Sequence, residues 1–280
     1  MEHIACPLCR SPKNIPLWKK DDASYVRCSE CRMIYENPRL DAAELKEFYS
    51  NEAYFVGDPA SATTSGYANY FSQCNTNLVR EYFDILRKAT GLGKGARFLD
   101  IGCGPGSLVK TASEFGWQSS GLELSTWAAK LGKSQGIDIF EGTLQDAHFP
   151  DASVDVASMF DVLEHLPDPH EVVAEIYRIL KPGGYLIAET PNVEGFFTQA
   201  LYRENADLVK PHAHICLFGP ATARRLFESE HFSKVGITTF PYCRKFTPGY
   251  FKSVLLTRIL PGKTPRQLTW DDSLRIVVRK

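Results

Sequence analysis

The chain has no run approaching the roughly 18 apolar residues that a helix needs to cross a bilayer. Its first residues also carry no apolar stretch of the signal-peptide kind. A cytoplasmic protein without membrane insertion is therefore expected. Neither sign of charge is in excess: 32 Lys and Arg stand against 33 Asp and Glu, a formal net charge of −1 at pH 7. That balance argues against bulk attraction to nucleic acid or anionic membrane. Cysteine, at 8 in 280 residues, is too sparse for a disulfide scaffold. Internal repeats and low-complexity tracts are missing too. What is present is core-forming material, with 44% hydrophobic residues including 17 Phe, which excludes a disordered or collagen-like chain.

The balanced total hides an uneven distribution. Residues 96–190 hold six basic and fourteen acidic side chains, whereas 191–280 hold fourteen basic and seven acidic ones. Two readings stay open, a division of labour between ligands and a chance spread of solvated surface charge.

Half of the cysteines sit at one end. Cys6 and Cys9 form one Cys-x-x-Cys knuckle, Cys28 and Cys31 a second, and eighteen residues separate the pairs. This is the spacing of a zinc ribbon, in which each knuckle gives two thiolates to one tetrahedral ion. All four ligand positions would be filled by protein, so the Zn²⁺ is expected to be structural. A segment of some 40 residues is too small to build its own core, so the metal is expected to stabilise it as a unit separate from the rest. Cys74, Cys103, Cys216 and Cys243 are scattered and read as small buried residues.

Residues 1–40 are thus read as the ribbon and 41–76 as a linker or flap that opens with a short helix over 41–49. A helix over 77–89 follows, and from residue 97 onward strands and helices alternate. Strands are expected at 97–101, 119–124, 137–140, 154–160 and 185–188, with two more at 234–240 and 273–278. The helices between them run to about ten residues, so the fold class is α/β, a largely parallel sheet with helices on both faces.

One stretch carries the chemistry: Phe98-Leu99-Asp100-Ile101-Gly102-Cys103-Gly104-Pro105-Gly106. A buried strand ends in an acidic residue and runs into three glycines at alternate positions before a helix. Backbone without side chains lets a ligand approach closely at the carboxyl end of the first strand. Neither a Gly-x-Gly-x-x-Gly spacing nor a Walker lysine is present. Glu123, about twenty residues on, ends the next strand, where a carboxylate can accept both hydroxyls of a ribose.

Together with Met159-Phe160-Asp161-Val162-Leu163-Glu164-His165-Leu166-Pro167-Asp168-Pro169, Leu180-Lys181-Pro182-Gly183-Gly184-Tyr185-Leu186 and Pro211-His212-Ala213-His214-Ile215-Cys216-Leu217-Phe218, this loop resembles the class I S-adenosylmethionine-dependent methyltransferases. The similar subgroup is that of the ubiquinone-pathway and sugar or natural-product O-methyltransferases, over roughly residues 77–240. The resemblance implies a Rossmann-like seven-stranded sheet over 77–280, with a substrate-lid insertion around 191–220. It also implies S-adenosyl-L-methionine as cofactor and a small-molecule hydroxyl acceptor. Carried over by position, Asp100 and the backbone of Gly102, Cys103, Gly104 and Gly106 would hold the methionine end. Glu123 and Leu124 would meet the ribose, Leu144 and Gln145 the adenine, and Phe160 and Asp161 would line the methyl-transfer site. Where many relatives have Asp-Ala before the adenine, this chain has Thr143-Leu144.

A hydroxyl acceptor needs a proton acceptor, and an imidazole suits the role. His165 and His214 are the candidates, each with a competing reading as a histidine satisfied by backbone. Asp161, Glu164 and His165 can alternatively bind a divalent ion, as the similar quinone methyltransferases are thought to do. His3, His148, His170 and His231 read as surface residues. Tyr54, Tyr67, Tyr70, Phe196, Phe197, His212 and His214 are expected to close over the cofactor. The basic excess after residue 191 suggests an acceptor carrying phosphate or carboxylate, met by Arg203, Lys210, Arg244 or Lys245. The competing functions are a zinc-ribbon ribosomal-RNA guanine methyltransferase, disfavoured by the few basic residues of the ribbon, and a non-catalytic binding module.

Overall fold

The computed structural model describes residues 1–50, 76–195, 210–240 and 273–280. Three short strands open the chain: β1 (Asn14–Lys20), β2 (Ala23–Cys28) and β3 (Ile34–Glu36), followed by helix α1 (Ala42–Ser50). Helix α2 (Thr76–Thr90) leads into the alternating part: β4 (Arg97–Ile101), α3 (Ser107–Glu114), β5 (Gln118–Glu123), α4 (Thr126–Ser134), β6 (Ile139–Glu141), β7 (Val154–Phe160), α5 (Pro169–Ile179) and β8 (Leu180–Pro191). After them come β9 (Cys216–Leu217), α6 (Pro220–Ser229), β10 (Ser233–Phe240) and β11 (Ser273–Arg279).

The large sheet has seven strands, as the resemblance implies, and their order is β10-β11-β8-β7-β4-β5-β6. β8 to β6 run parallel, while β11 lies antiparallel to both β8 and β10. The chain runs outward from β4 through β5 to β6, then returns to β7 on the other side. That reversal opens a crevice at the carboxyl ends of β4 and β7. β8 is longer than expected. It already pairs with β7 at Leu180 and continues to Pro191, because it is bonded along its length to β7 and β11.

Alternation along the strands sends side chains to two cores. On one face Val79, Phe83 and Leu86 of α2 pack with Phe98, Trp117, Val156 and Ile187. On the other, Val173, Ile176 and Ile179 of α5 pack with Leu99, Ala157, Leu186 and Ala188. Proline starts α5 and α6, where its missing N–H costs nothing, and Asp168 caps α5 by accepting from the His170 and Glu171 N–H groups.

The ribbon departs from its expected independence. Cys6, Leu8, Val26, Cys28, Met33 and Tyr35 belong to the same continuous core as Leu99, Met159 and Ile176. β9 adds a fourth strand to the ribbon sheet, antiparallel to β3, with Ile34 opposite Leu217 and Tyr35 opposite Cys216. The reason is size: three short strands cannot bury their own inner face, so they bury it on the larger domain. Cys103 and Cys216 are buried as expected, whereas Cys74 and Cys243 fall outside the described residues.

Candidate active site

The loop after β4 is built from left-handed backbone. Gly102, Gly104 and Gly106 have φ of 70°, 54° and 82°. A Cβ on Gly102 would collide with Val162 Cγ2, and one on Gly106 would stand 2.7 Å from Ile137 Cγ2. Glycine is thus required by conformation and by space. Glu123 is buried and closes the loop from the next strand. Its Oε2 accepts the Gly104 N–H at 2.8 Å and its Oε1 the Ser125 N–H at 2.7 Å. Burial raises its pKa against those backbone donors. Each oxygen keeps a second lone pair for an outside hydroxyl.

Asp100 is buried at the end of β4, where its Oδ1 accepts from Ser158 Oγ at 2.6 Å. Burial, with the Glu123 charge added, pushes its pKa up to about 7 although the serine opposes the shift. Two buried carboxylates beside a glycine-rich loop suit a ligand with a cationic end and a diol. The methionine ammonium and ribose of S-adenosylmethionine have that chemistry, so the residues fit the cofactor. Cys103 is buried with its Sγ toward the Gly104 carbonyl, Leu124 is exposed, Leu144 is buried, and Gln145 is half-buried. Phe160 is half-buried and stacks on Tyr82 of α2, with ring centroids 4.4 Å apart.

Asp161 follows β7 with a φ of 53°, a left-handed conformation uncommon for a side-chain-bearing residue and frequent at functional sites. Three residues on, Glu164 is buried. Its Oε2 accepts from Thr190 Oγ1 at 2.9 Å, while its Oε1 is buried without a hydrogen-bond partner. Burial, reinforced by Asp161, raises the Glu164 pKa to about 8. His165 Nε2 lies 3.9 Å from that Glu164 Oε1, and its ring meets His214 edge to face at 4.9 Å. His165 Nδ1 stands 2.8 Å from the Ala213 carbonyl, which can only accept. The ring proton is thereby placed on Nδ1, and Nε2 keeps its lone pair. Burial lowers the His165 pKa to about 4.

The structure therefore joins Glu164, His165 and His214, whose ligand atoms all lie within 4.8 Å of one another. The trio that the sequence offered as an alternative ion site was Asp161, Glu164 and His165. His212 departs from its expected place over the cofactor. Its Nδ1 and backbone N–H meet Glu36 at 2.6 and 2.9 Å, and its Nε2 meets Asp22 at 3.0 Å. His170 is no surface residue either, since it bridges Glu230 and the Leu8 carbonyl. Sequence reasoning missed Tyr49, Glu36, Ser158 and Thr190, whose contacts join distant segments. Tyr54, Tyr67, Tyr70, Phe196, Phe197, Arg203, Arg244 and Lys245 lie outside the described residues. Lys210 is exposed, and its positive charge acts on Asp161, Glu164 and His165.

In the ribbon the Cys6 and Cys31 sulfurs are 3.5 Å apart and those of Cys9 and Cys28 3.4 Å apart. These separations are far beyond the roughly 2.05 Å of a disulfide. All four sulfurs lie within 4.8 Å of one another. Thiolates at about 2.3 Å from a tetrahedral zinc are compatible with that cluster, so the donor set fits the metal.

Comparison with known proteins points the same way. Residues 74–235 match a family model described as "Methyltransferase domain". The chain is 26% identical over 170 residues to a ubiquinone biosynthesis O-methyltransferase of Vibrio parahaemolyticus, covering 56% of this chain and 72% of that protein. It is 37% identical over 100 residues to a probable S-adenosylmethionine-dependent methyltransferase of Mycolicibacterium smegmatis, covering 35% and 39%. A SAM-dependent methyltransferase structure from Archaeoglobus fulgidus superposes with a TM-score of 0.55 at 18% identity, covering 76% of this chain and 98% of that one, a likeness of fold.

Proposed function

From the premise that this chain belongs to the methyltransferase-domain family and is an S-adenosylmethionine-dependent methyltransferase, we propose that it methylates a hydroxyl of a small molecule, a sugar or natural product. The observation that carries the reading is the Glu164, His165 and His214 cluster, whose first two members follow closely on Val162, the residue packed against Gly102. The resemblance to O-methyltransferases supports oxygen as the acceptor atom.

When bound, the cofactor supplies an electrophilic methyl group. Asp100 and Glu123 bind and orient it, and the loop glycines admit it. The protein's task at the acceptor is to hold the hydroxyl in line and take its proton. His165 Nε2 is the acceptor of that proton, because Nδ1 already donates to Ala213. Burial keeps the ring neutral near pH 7 and therefore able to accept. Once ionised, above a pH of about 8, the Glu164 carboxylate 3.9 Å away stabilises the proton it gains. His214 stands beside it, its ring edge to face with that of His165 at 4.9 Å. The Lys210 charge, felt by Asp161 and Glu164, favours an acceptor bearing phosphate or carboxylate. Cys6, Cys9, Cys28 and Cys31 hold a structural zinc. Release of S-adenosylhomocysteine across a panel of phenols, sugars and nucleotide sugars tests the reading. Retained turnover in both His165→Ala and His214→Ala, with cofactor binding followed in parallel, would remove the base.

A further inference from the structure

The segment from His212 to Leu217 is held by the ribbon and by α1. His212 meets Glu36 and Asp22 through its ring and its N–H. The Ala213 carbonyl accepts from Tyr49 Oη at 3.2 Å, and the His214 carbonyl from Tyr25 Oη at 3.3 Å. The Ile215 carbonyl accepts from the Glu36 N–H at 3.0 Å, and Cys216 and Leu217 pair with β3. Glu36 is fully buried at the centre of this seam. The loop that carries His165 is held by the same element. Arg39 Nη1 donates to the Pro167 carbonyl at 2.7 Å, Arg10 grips both carboxylate oxygens of Asp168, and the Leu8 carbonyl accepts from His170 Nε2. Tyr49 Oη touches both loops at once, lying 3.2 Å from His165 Nδ1 as well as from the Ala213 oxygen.

The glycine loop, by contrast, is bonded to Leu122 and Glu123 of β5 and packs against Val162, Ile137 and Ile139. Cofactor binding and acceptor chemistry are therefore supported by different parts of the chain. We propose that the N-terminal ribbon with α1 is the template that fixes the two loops of the methyl-transfer site, with Glu36 and Tyr49 as positioning residues for His214 and His165. The proposal rests on His165 being the proton acceptor. It extends that reading by giving the ribbon a part in the reaction through geometry, without contact to cofactor or acceptor.

The test uses the full chain labelled with ¹⁵N-histidine, as parent, Tyr49→Phe and His212→Gln, none of which alters a cysteine. Calorimetry should find S-adenosylmethionine affinity within about twofold of the parent in both variants, since no contact of the glycine loop changes. Amide exchange over residues 213–217 should quicken about tenfold or more as these hydrogen bonds are lost. The His165 ring should pass from the single Nδ1–H tautomer to a mixture, a signature that loosened packing elsewhere would not give. Parental exchange and parental ring signals in both variants would overturn the template, as would exchange raised equally across the central sheet. The base assignment fails separately: a parent His165 ring carrying its proton on Nε2 near neutral pH defeats it, and exchange then judges the template alone.

Discussion

Ser158 Oγ donates to Asp100 Oδ1 across 2.6 Å, and this single hydroxyl does not offset the burial that lifts the Asp100 pKa to about 7. The ordinary carboxyl value is near 4. A carboxyl raised in the folded state makes the fold less stable as pH climbs from about 4 to about 7, because the unfolded chain gives up the proton first. A cationic ligand prefers the ionised form. Binding of S-adenosylmethionine should therefore strengthen as pH rises toward 7 and release a proton near pH 6.5. Calorimetry in two buffers of different ionisation enthalpy reads that proton directly. Asp100→Asn should abolish the release and weaken binding about ten- to a hundredfold, for a charge-assisted bond of about 1.5–3 kcal/mol. Glu123→Ala should weaken binding to a similar degree.

Gly102→Ala combines two faults, a left-handed φ of 70° and a collision with Val162. The conformation alone costs about 1–2 kcal/mol. We expect a lower Tm and impaired cofactor binding. In the Val162→Ala background the collision is relieved, so the added cost of Gly102→Ala should shrink to the conformational part. Equal costs in the two backgrounds would show that the clash plays no role.

Cys28→Ser removes one of four clustered thiols. Elemental analysis of the purified parent should show one zinc per chain, and the variant should lose it. Because Cys28 shares a core with Leu99, Met159 and Ile176, the loss should lower the melting transition of the whole molecule. A separate low-temperature transition, with the sheet domain melting as in the parent, would show the ribbon to be energetically independent.

How much of this was legible in the sequence varies with the range of the interaction. The glycine loop and Glu123 were readable because a left-handed turn at a strand end imposes its residue types locally. The strands were readable as short segments alternating with helices of about ten residues. β9 was not: Cys216–Leu217 is only two residues long and exists because β3 lies beside it, some 180 residues earlier in the chain. The same holds for Tyr49, whose hydroxyl reaches His165 and Ala213 only after the ribbon has docked. His165 and His214 were picked out singly, and their joining with Glu164 followed from the return of the chain through β9. The pairing of β8 with both neighbours as far as Pro191 was likewise hidden behind a Lys-Pro-Gly-Gly stretch that reads as a turn.

The Glu164 and His165 pair sets the expected pH dependence of methyl transfer. Burial holds Glu164 protonated up to about 8 and keeps His165 neutral down to about 4. Between those values the imidazole is free to accept a proton but is a weak base. Above pH 8 the carboxylate forms 3.9 Å from Nε2 and favours the imidazolium. Turnover of an acceptor identified from the panel should therefore rise as pH passes through about 8. Glu164→Gln, which cannot ionise, should flatten that rise while leaving cofactor affinity unchanged. The same three donors, Glu164, His165 and His214, also suit a divalent ion. A metal would hold Glu164 ionised at neutral pH and remove the limb near 8. Activity lost to a chelator and restored by Mg²⁺, with no limb near pH 8, would assign the cluster to the ion. A chelator-resistant rise that Glu164→Gln abolishes would assign it to the proton.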